Sequence, residues 1–455
     1  MTIELFNDRI ELDLEEVDSK VISKLKKSLV WKNKSIDYQL KQIEQKGRVP
    51  KGVDLEDLKG KLEGKYYDER NGKLILPAGF AHLFEKYPRV VDHHGTTGYV
   101  CSFGFRTNLP TLRPYQCEAV EKALEVNRGV VCLATGMGKT LLSVSLIQKY
   151  SRNTLVIVPN KNIGKQFFDV LVKYFGEDQV GFIGDSKCDV KNITVGIIQS
   201  VLNKIDSIPE VGMIIIDETH HVPAFTLFDI MKRKANTGKV IGLSATPFRS
   251  DGLDNHIMAI AGRNIIEYGA EYGIENGFLA KPTFLIRKVP TRGKDNKEKI
   301  WAMKAHVTGS DTMKAVAMKD IKGAIASGKS VLILVPTIEF GKEISEEVGC
   351  PFATGDDKKS YEYLEQFNSG SLKCLCGTSS KIGEGSDTVR VDILIMLSFP
   401  GSKGPMLQQI GRGLRLYEGK SKVVIIDYIP MGSTILSRHA NTRIEEYRKL
   451  GEVRM

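Results

Sequence analysis

At 455 residues the chain exceeds what one hydrophobic core supports and should divide into about three domains. Its 42% hydrophobic content is ample for globular folding, and 65 basic against 55 acidic side chains leave a net charge of +10, which favours a polyanionic partner without requiring one. No apolar run approaches the roughly 20 residues that span a bilayer. The N-terminus MTIELFNDRIELDLEE is acidic and alternating, unlike a secretory signal. The seven cysteines, at 101, 117, 132, 188, 350, 374 and 376, contain no CxxC pair and no zinc-ligand spacing. A soluble protein of a reducing cytoplasm, without structural zinc, is expected.

Residues 1–108 read as a small α+β domain. Ile3, Leu5, Ile10, Leu12 and Leu14 surround an Asn7-Asp8 turn and predict a hairpin, after which Val17, Val21, Leu25 and Leu29 recur at helical spacing. A second turn at Asn71-Gly72 precedes the strand Leu74–Leu76, and Pro77 opens a helical segment ending near Tyr87. Between these elements Lys20, Lys24, Lys26, Lys27, Lys32 and Lys34 crowd around Trp31. Such a set can hold a phosphate backbone while the indole stacks on a base, and a solvated helix face with a half-buried tryptophan accounts for it equally well. His93 and His94 are unaccompanied and read as surface residues, not as a metal site.

From Pro110 the pattern becomes short apolar strands alternating with helical segments: Val130–Leu133, Thr154–Val158, Ile193–Ile198, Met213–Ile216 and Val240–Leu243. Near-continuous apolar strands belong in a parallel sheet covered on both faces, so residues 109–265 form a first α/β lobe. Its first strand runs into CLATGMGKT, Cys132 to Thr140, and then into a buried helix. Strand, glycine-bearing turn and helix are the context of a phosphate-binding loop, in which backbone N–H groups around Gly136 and Gly138 and the helix N-terminus close on phosphate oxygens. Thr135, Gly136, Met137, Gly138, Lys139 and Thr140 are the nucleotide-binding candidates. Lys139 would reach the outer phosphates and the Thr140 hydroxyl would coordinate Mg2+. Leu133 departs from the strict pattern, which has its first glycine there.

MIIIDETH, residues 213–220, ends an apolar strand in two carboxylates, delivering them to the edge where a nucleotide held by the loop would sit. Asp217 would hold Mg2+ and Glu218 would orient and deprotonate the attacking water. Downstream, LSATPFRSDG begins as the strand Val240–Leu243 ends. A second series of strands follows YGAEYGIENGFLAKP, at Val331–Val335, Leu372–Cys376, Ile393–Leu397 and Val423–Ile426. Residues 266–455 therefore form a second lobe, without a phosphate loop of its own. The charged run from Arg287 to Lys304 reads as a solvated loop, and the basic tail RHANTRIEEYRKLGEVRM reads as a helix along DNA or a solvated end.

DETH followed by SAT resembles the DExH branch of the superfamily 2 helicases, and the likeness runs from Leu112 to about Tyr417 with its motifs in family order. The resemblance implies two RecA-like parallel-sheet lobes in tandem behind the α+β domain, with ATP and Mg2+ as ligands. Ser244 and Thr246 would couple nucleotide state to movement of the lobes. LRPYQ resembles the adenine-recognising segment, with Gln116 reading the base while Tyr115 or Arg113 packs against it. Pro159, Asn160 and Lys161, with Gln199 and Ser200, resemble the nucleic-acid track of the first lobe. Pro336 and Thr337, with Thr378 and Ser379, resemble that of the second, where Gly385 and Asp387 would meet the ribose. Gln408, Gly411, Arg412 and Arg415 match QxxGRxxR, and two arginines three apart on a helix would face one side, projected at the γ-phosphate.

Within the branch the chain is similar to phage UvsW-type branch-migration helicases through its short motif set and the small domain ahead of LRPYQ. That implies a monomeric ATP-dependent DNA helicase that regresses forks and migrates Holliday-type junctions, working in a host cytoplasm beside recombination or replication proteins. An RNA or RNA–DNA hybrid helicase, the ATPase motor of a nuclease or restriction complex, and a nucleotide-regulated scaffold are the alternatives.

Overall fold

A computed structural model describes residues 2–32, 34–46, 49, 54–60, 62–87, 89–95, 98–103, 107, 109, 111–219, 224–234, 236–245, 254–293, 299–354, 359–379, 382 and 390–455. Its contacts divide it into two compact units, one of residues 1–133 and 138–267 and one of residues 134–137 and 268–455. No helix among the described residues is long and apolar enough to cross a membrane.

The first unit holds two large sheets. The N-terminal one has the order Asp68–Arg70, Lys73–Pro77, Arg9–Asp13, Ile3–Leu5, Val90–Asp92. The expected hairpin pairs Ile3 with Leu12 and Leu5 with Ile10. The second turn places Asn71 and Gly72 at φ of 53° and 75°, the two left-handed residues that a tight hairpin turn needs. Alternation then buries Ile10, Leu12, Leu74 and Leu76 in one cluster with Leu29, Tyr66, Phe80 and Phe84. The Asp18 carboxylate accepts from the backbone N–H of Lys20 at 2.7 Å and starts the helix at Ser19, and the segment opened by Pro77 is a 3-10 helix, Ala78–Phe84.

This sheet packs on the one that follows. The buried guanidinium of Arg128, the first residue of the phosphate-loop strand, donates to the carbonyls of Asn7 and Ile260. A Cβ at Gly79 would lie 2.0 Å from the Met258 carbonyl oxygen, so only glycine allows the approach. Tyr66 Oη lies 2.5 Å from Nδ1 of the buried His256, whose ring also meets Trp31 and Phe228 edge-on.

The larger sheet runs Lys187–Cys188, Val180–Gly184, Ile193–Ile197, Thr154–Val158, Met213–Ile216, Lys239–Ser244, Arg128–Leu133, Asn264–Tyr268. From Val180–Gly184 to Arg128–Leu133 the strands are parallel. From Arg128–Leu133 the chain skips two places to Thr154–Val158, moves outward, and returns to insert Met213–Ile216 and Lys239–Ser244. The three strands that carry motifs are thereby neighbours, beside a reversal in strand order where ligands of open parallel sheets collect.

The second unit is a seven-stranded sheet, Phe352–Ala353, Cys374–Thr378, Val331–Val335, Ile393–Met396, Lys422–Pro430, Lys281–Val289, Glu452–Arg454, with every pairing parallel. The C-terminal tail is not a solvated end. It forms the helix Thr434–Leu450 and the edge strand Glu452–Arg454, and it is fixed by a buried ion pair. Arg443 donates from Nε to Asp427 Oδ2 at 2.7 Å and from Nη2 to Oδ1 at 3.0 Å, with the two side chains 2% and 1% exposed. Tyr447 donates to the same carboxylate at 2.9 Å and stacks on Phe284. One face of this helix is buried, and the charge that Arg443 carries into it is taken up by one carboxylate.

Candidate nucleotide-binding site

The register aligns the motif strands at one edge. Leu243 lies beside Val131 and Ser244 beside Cys132, while Ile216 pairs with both Gly242 and Ile157. The phosphate loop, Asp217 and Ser244 therefore leave the sheet together. Gly136 and Gly138 take φ of 87° and 80°, left-handed values that only glycine adopts readily, and Gly138 caps the helix Lys139–Tyr150. First-turn N–H groups of that helix are the donors an anion would take.

Lys139 Nζ lies 3.2 Å from Glu218 Oε1. Asp217 is 6% exposed and its Oδ1 is a buried atom with no hydrogen-bond partner. Burial first, then the neighbouring Glu218 charge, pushes the Asp217 carboxyl up to about 7, against the pull of Lys139. A buried, unsatisfied carboxylate oxygen at the sheet edge where the candidate phosphate loop also emerges fits a cation. No group of three or more His, Cys, Asp or Glu among the described residues could hold a metal by itself. Mg2+ keeps waters and takes one or two carboxylates plus phosphate oxygens, and Asp217 and Thr140 are the residues that could hold it here.

The turn carrying the carboxylates is pinned by Thr219, which the sequence reading passed over. Its hydroxyl lies 3.0 Å from the Ile216 carbonyl and 2.9 Å from that of Leu243, tying the turn to the neighbouring strand. Glu218 sits at φ of 45°, an uncommon value for a non-glycine residue. A buried hydroxyl directly after two carboxylates was the available signal.

Gln116 is buried, and its amide is engaged with the backbone. Its Oε1 accepts from Arg113 N at 2.9 Å and its Nε2 donates to the Gly138 carbonyl at 3.1 Å, so it braces the loop. Tyr115 is buried beneath Arg113, whose Nη1 lies 3.3 Å from the phenol oxygen.

Pro159, Asn160 and Lys161 follow the Thr154–Val158 strand; the adjacent Ile193–Ile197 strand leads to Gln199 and Ser200 at the same edge. Asn160 Oδ1 caps its helix by accepting from Ile163 N at 3.0 Å, and Lys161 pairs with Asp185. In the second unit Pro336 and Thr337 follow a strand whose Val335 pairs with Thr378, so Ser379 joins them; Thr337 caps the helix Ile338–Val348. Gln408 and Arg412 are buried on the helix Lys403–Leu414. Arg415 corrects the expectation of two arginines on one helix: it lies past the helix end in extended backbone, where Lys420 Nζ takes its carbonyl at 2.7 Å. Trp31 is set apart from these residues. Its ring sits over Gly64, where a Cβ would be 2.7 Å away, and edge-on to His256, so it is committed to packing. Thr246, Gly385 and Asp387 lie outside the described residues.

Residues 109–249 match the family described as "Type III restriction enzyme, res subunit". The protein named "Probable helicase D10" of Escherichia phage T5 is 30% identical over 330 residues, covering 70% of this chain and 70% of that protein. The chain belongs to the superfamily 2 helicases. The helicase is also 24% identical over 366 residues to the DNA 3'-5' translocase XPB2 of Sulfurisphaera tokodaii, covering 71% of this chain and 82% of that protein. It spans about half the length, 52% and 55%, of the Rad25 proteins of Halobacterium salinarum and Haloarcula marismortui, to each of which it is 27% identical over 67% and 75% of its own length. Among solved structures, the HsdR-subunit fragment of a type I restriction enzyme from Vibrio vulnificus gives a TM-score of 0.59 at 21% identity, over 77% of this chain and 68% of that one. This last likeness is one of fold.

Proposed function

We propose that the helicase is an ATP-driven DNA translocase and that the loop of Gly136 to Thr140 binds the triphosphate. The observation that carries this is the Lys139–Glu218 pair beside the orphaned Asp217 Oδ1, all at the edge where the loop opens. Arriving phosphate would draw Lys139 from Glu218, leaving that carboxylate to orient and deprotonate water. Held by Asp217 and Thr140, Mg2+ would neutralise phosphate charge. Thr135 and Met137 complete the loop, while Arg113, with Tyr115 buried beneath it, would pack against the adenine; Gln116 would have to exchange its bond to Gly138 to read the base.

From the resemblance, Arg412 and Arg415 would stabilise charge on the transferring phosphoryl group, with Gln408, Gly385 and Asp387 around the nucleotide, and Ser244 and Thr246 would carry the change of state onward. Hydrolysis would then depend on both units and drive movement. Pro159, Asn160, Lys161, Gln199, Ser200, Pro336, Thr337, Thr378 and Ser379 would follow the DNA backbone. Contacts of this kind carry no sequence information and suit a motor. We assign the N-terminal sheet to branched-DNA selection, as in UvsW-type enzymes, and the chain to a monomer of the cytoplasm.

A second reading is favoured by the match of residues 109–249 to a restriction-enzyme subunit: the motor of a nuclease assembly. The deciding experiment is ATP turnover of the purified chain titrated with single-stranded DNA, duplex DNA, a four-way junction and RNA at one salt concentration. Strongest stimulation by the junction is expected; stimulation by RNA alone would overturn the DNA reading.

A further inference from the structure

Of the six lysines around Trp31, the five with described side chains are of two kinds. Lys26 is neutralised by Glu69 at 2.9 Å and Lys32 by Asp37 at 2.8 Å. Lys20, Lys24 and Lys27 are exposed and have no ion-pair partner among the described residues. They stand at i, i+4 and i+7 of the helix Ser19–Ser28, one stripe together with Ser23. On the opposite side Leu25 and Leu29 join the core of the N-terminal sheet, so the lysine face is held outward by the packing of the apolar face. Shallow grooves flank the stripe, one lined by Ser19, Lys20, Ser23, Lys24 and Lys27, the other bordered by Tyr67.

We infer that this stripe grips the phosphate backbone of duplex DNA, an assignment that rests on the DNA reading above. Lys20 and Lys27 are about 10 Å apart along the helix axis. That span is enough to place the three ammonium groups, with the Ser23 hydroxyl between them, against neighbouring phosphates of a duplex. The aromatic residues close by argue for backbone contact and against single-strand stacking. Trp31 is packed over Gly64 and against His256, and the Tyr67 ring already carries the ammonium groups of Lys65, at 4.8 Å, and Lys26, at 5.8 Å. Binding here uses charge without a base platform.

The test replaces Lys20, Lys24 and Lys27 together by Gln, which keeps helix propensity. A control variant removes the same charge at Lys319, Lys329 and Lys373, exposed lysines of the second unit. Duplex-DNA affinity is measured for the full chain from 50 to 200 mM salt, with DNA-free ATP turnover alongside. The slope of log affinity against log salt should flatten by about 2–3 for the stripe variant, so that wild type loses about 40-fold more affinity than the variant across that range. The control should keep the wild-type slope, and basal turnover should hold in both. Unchanged DNA binding by the stripe variant, or an equal loss in the control, would overturn the assignment while leaving the DNA reading intact. A wild-type chain that binds no DNA would overturn both.

Discussion

Replacing Asp427 by Asn keeps the side-chain shape and removes the charge that the Arg443 guanidinium, the Tyr447 hydroxyl and the Tyr428 N–H all address. Arg443 is 2% exposed, so its charge would stay in the interior without a counterion. Removing one partner of such a pair costs about 3–5 kcal/mol. For a cooperative unit of this size each kcal/mol lowers the melting temperature by about 2–4 °C, giving a fall of roughly 6–20 °C. Scanning calorimetry resolves this as a change in the transition of the second unit, with the first unit's transition unmoved. The double variant Asp427→Asn, Arg443→Met should recover much of the loss, since it leaves no buried charge, and the cycle should show at least about 2 kcal/mol of coupling. A single variant that melts within about 2 °C of wild type, or a double variant as unstable as the sum of the singles, would refute the claim that this pair fixes the C-terminal helix.

Gln116→Ala should weaken nucleotide affinity about tenfold and lower stability by about 1–3 kcal/mol, because the Gly138 carbonyl loses its donor; unchanged affinity in a fluorescent-ADP titration would remove the bracing role. Lys139→Ala should reduce ATP turnover by about 10²–10³-fold or more, and retained turnover would end the phosphate-loop assignment. Because burial raises the Asp217 carboxyl to about 7, it must release a proton to ligate a cation. Mg2+-nucleotide affinity should therefore rise from pH 6 to 8, and Asp217→Asn should abolish that dependence. The same shift makes the folded first unit bind more protons than the unfolded chain, so Asp217 destabilises the ligand-free protein as pH climbs from about 4 to 7. Arg412→Ala should cut DNA-stimulated turnover about 10³-fold while DNA binding persists.

The sequence made the parallel strands legible because burial on both faces writes itself as unbroken runs such as Met213–Ile216 and Val331–Val335. Turn chemistry did the same for Asn71-Gly72. What stayed hidden depended on partners far along the chain. A tail rich in Arg and Glu reads as solvated until Asp427, inside the strand Lys422–Pro430, is set beside Arg443. Trp31 looks like a stacking platform until His256, more than 200 residues later, takes its ring edge. Gly411 and Gly413 both lie inside the helix that ends at Leu414, so nothing in QxxGRxxR marks Arg415 as the residue beyond it. Gln116 has the chemistry for an adenine edge and for a backbone carbonyl, and composition cannot rank the two.

Arg128 ties the turn of the N-terminal hairpin to the strand that ends in the phosphate loop. The two parts therefore cannot be shuffled as independent modules. A chain begun after residue 108 would strip the Asn7 carbonyl from a guanidinium whose pKa burial already lowers to about 10, and would uncover Phe228, Met258 and Ala259. Grafting this N-terminal sheet onto another motor would need an arginine at the matching strand start and a backbone carbonyl placed as that of Met258 is, against the gap that Gly79 leaves. Divergence of substrate choice within such a scaffold is easier through exposed residues such as the lysine stripe than through exchange of the whole domain.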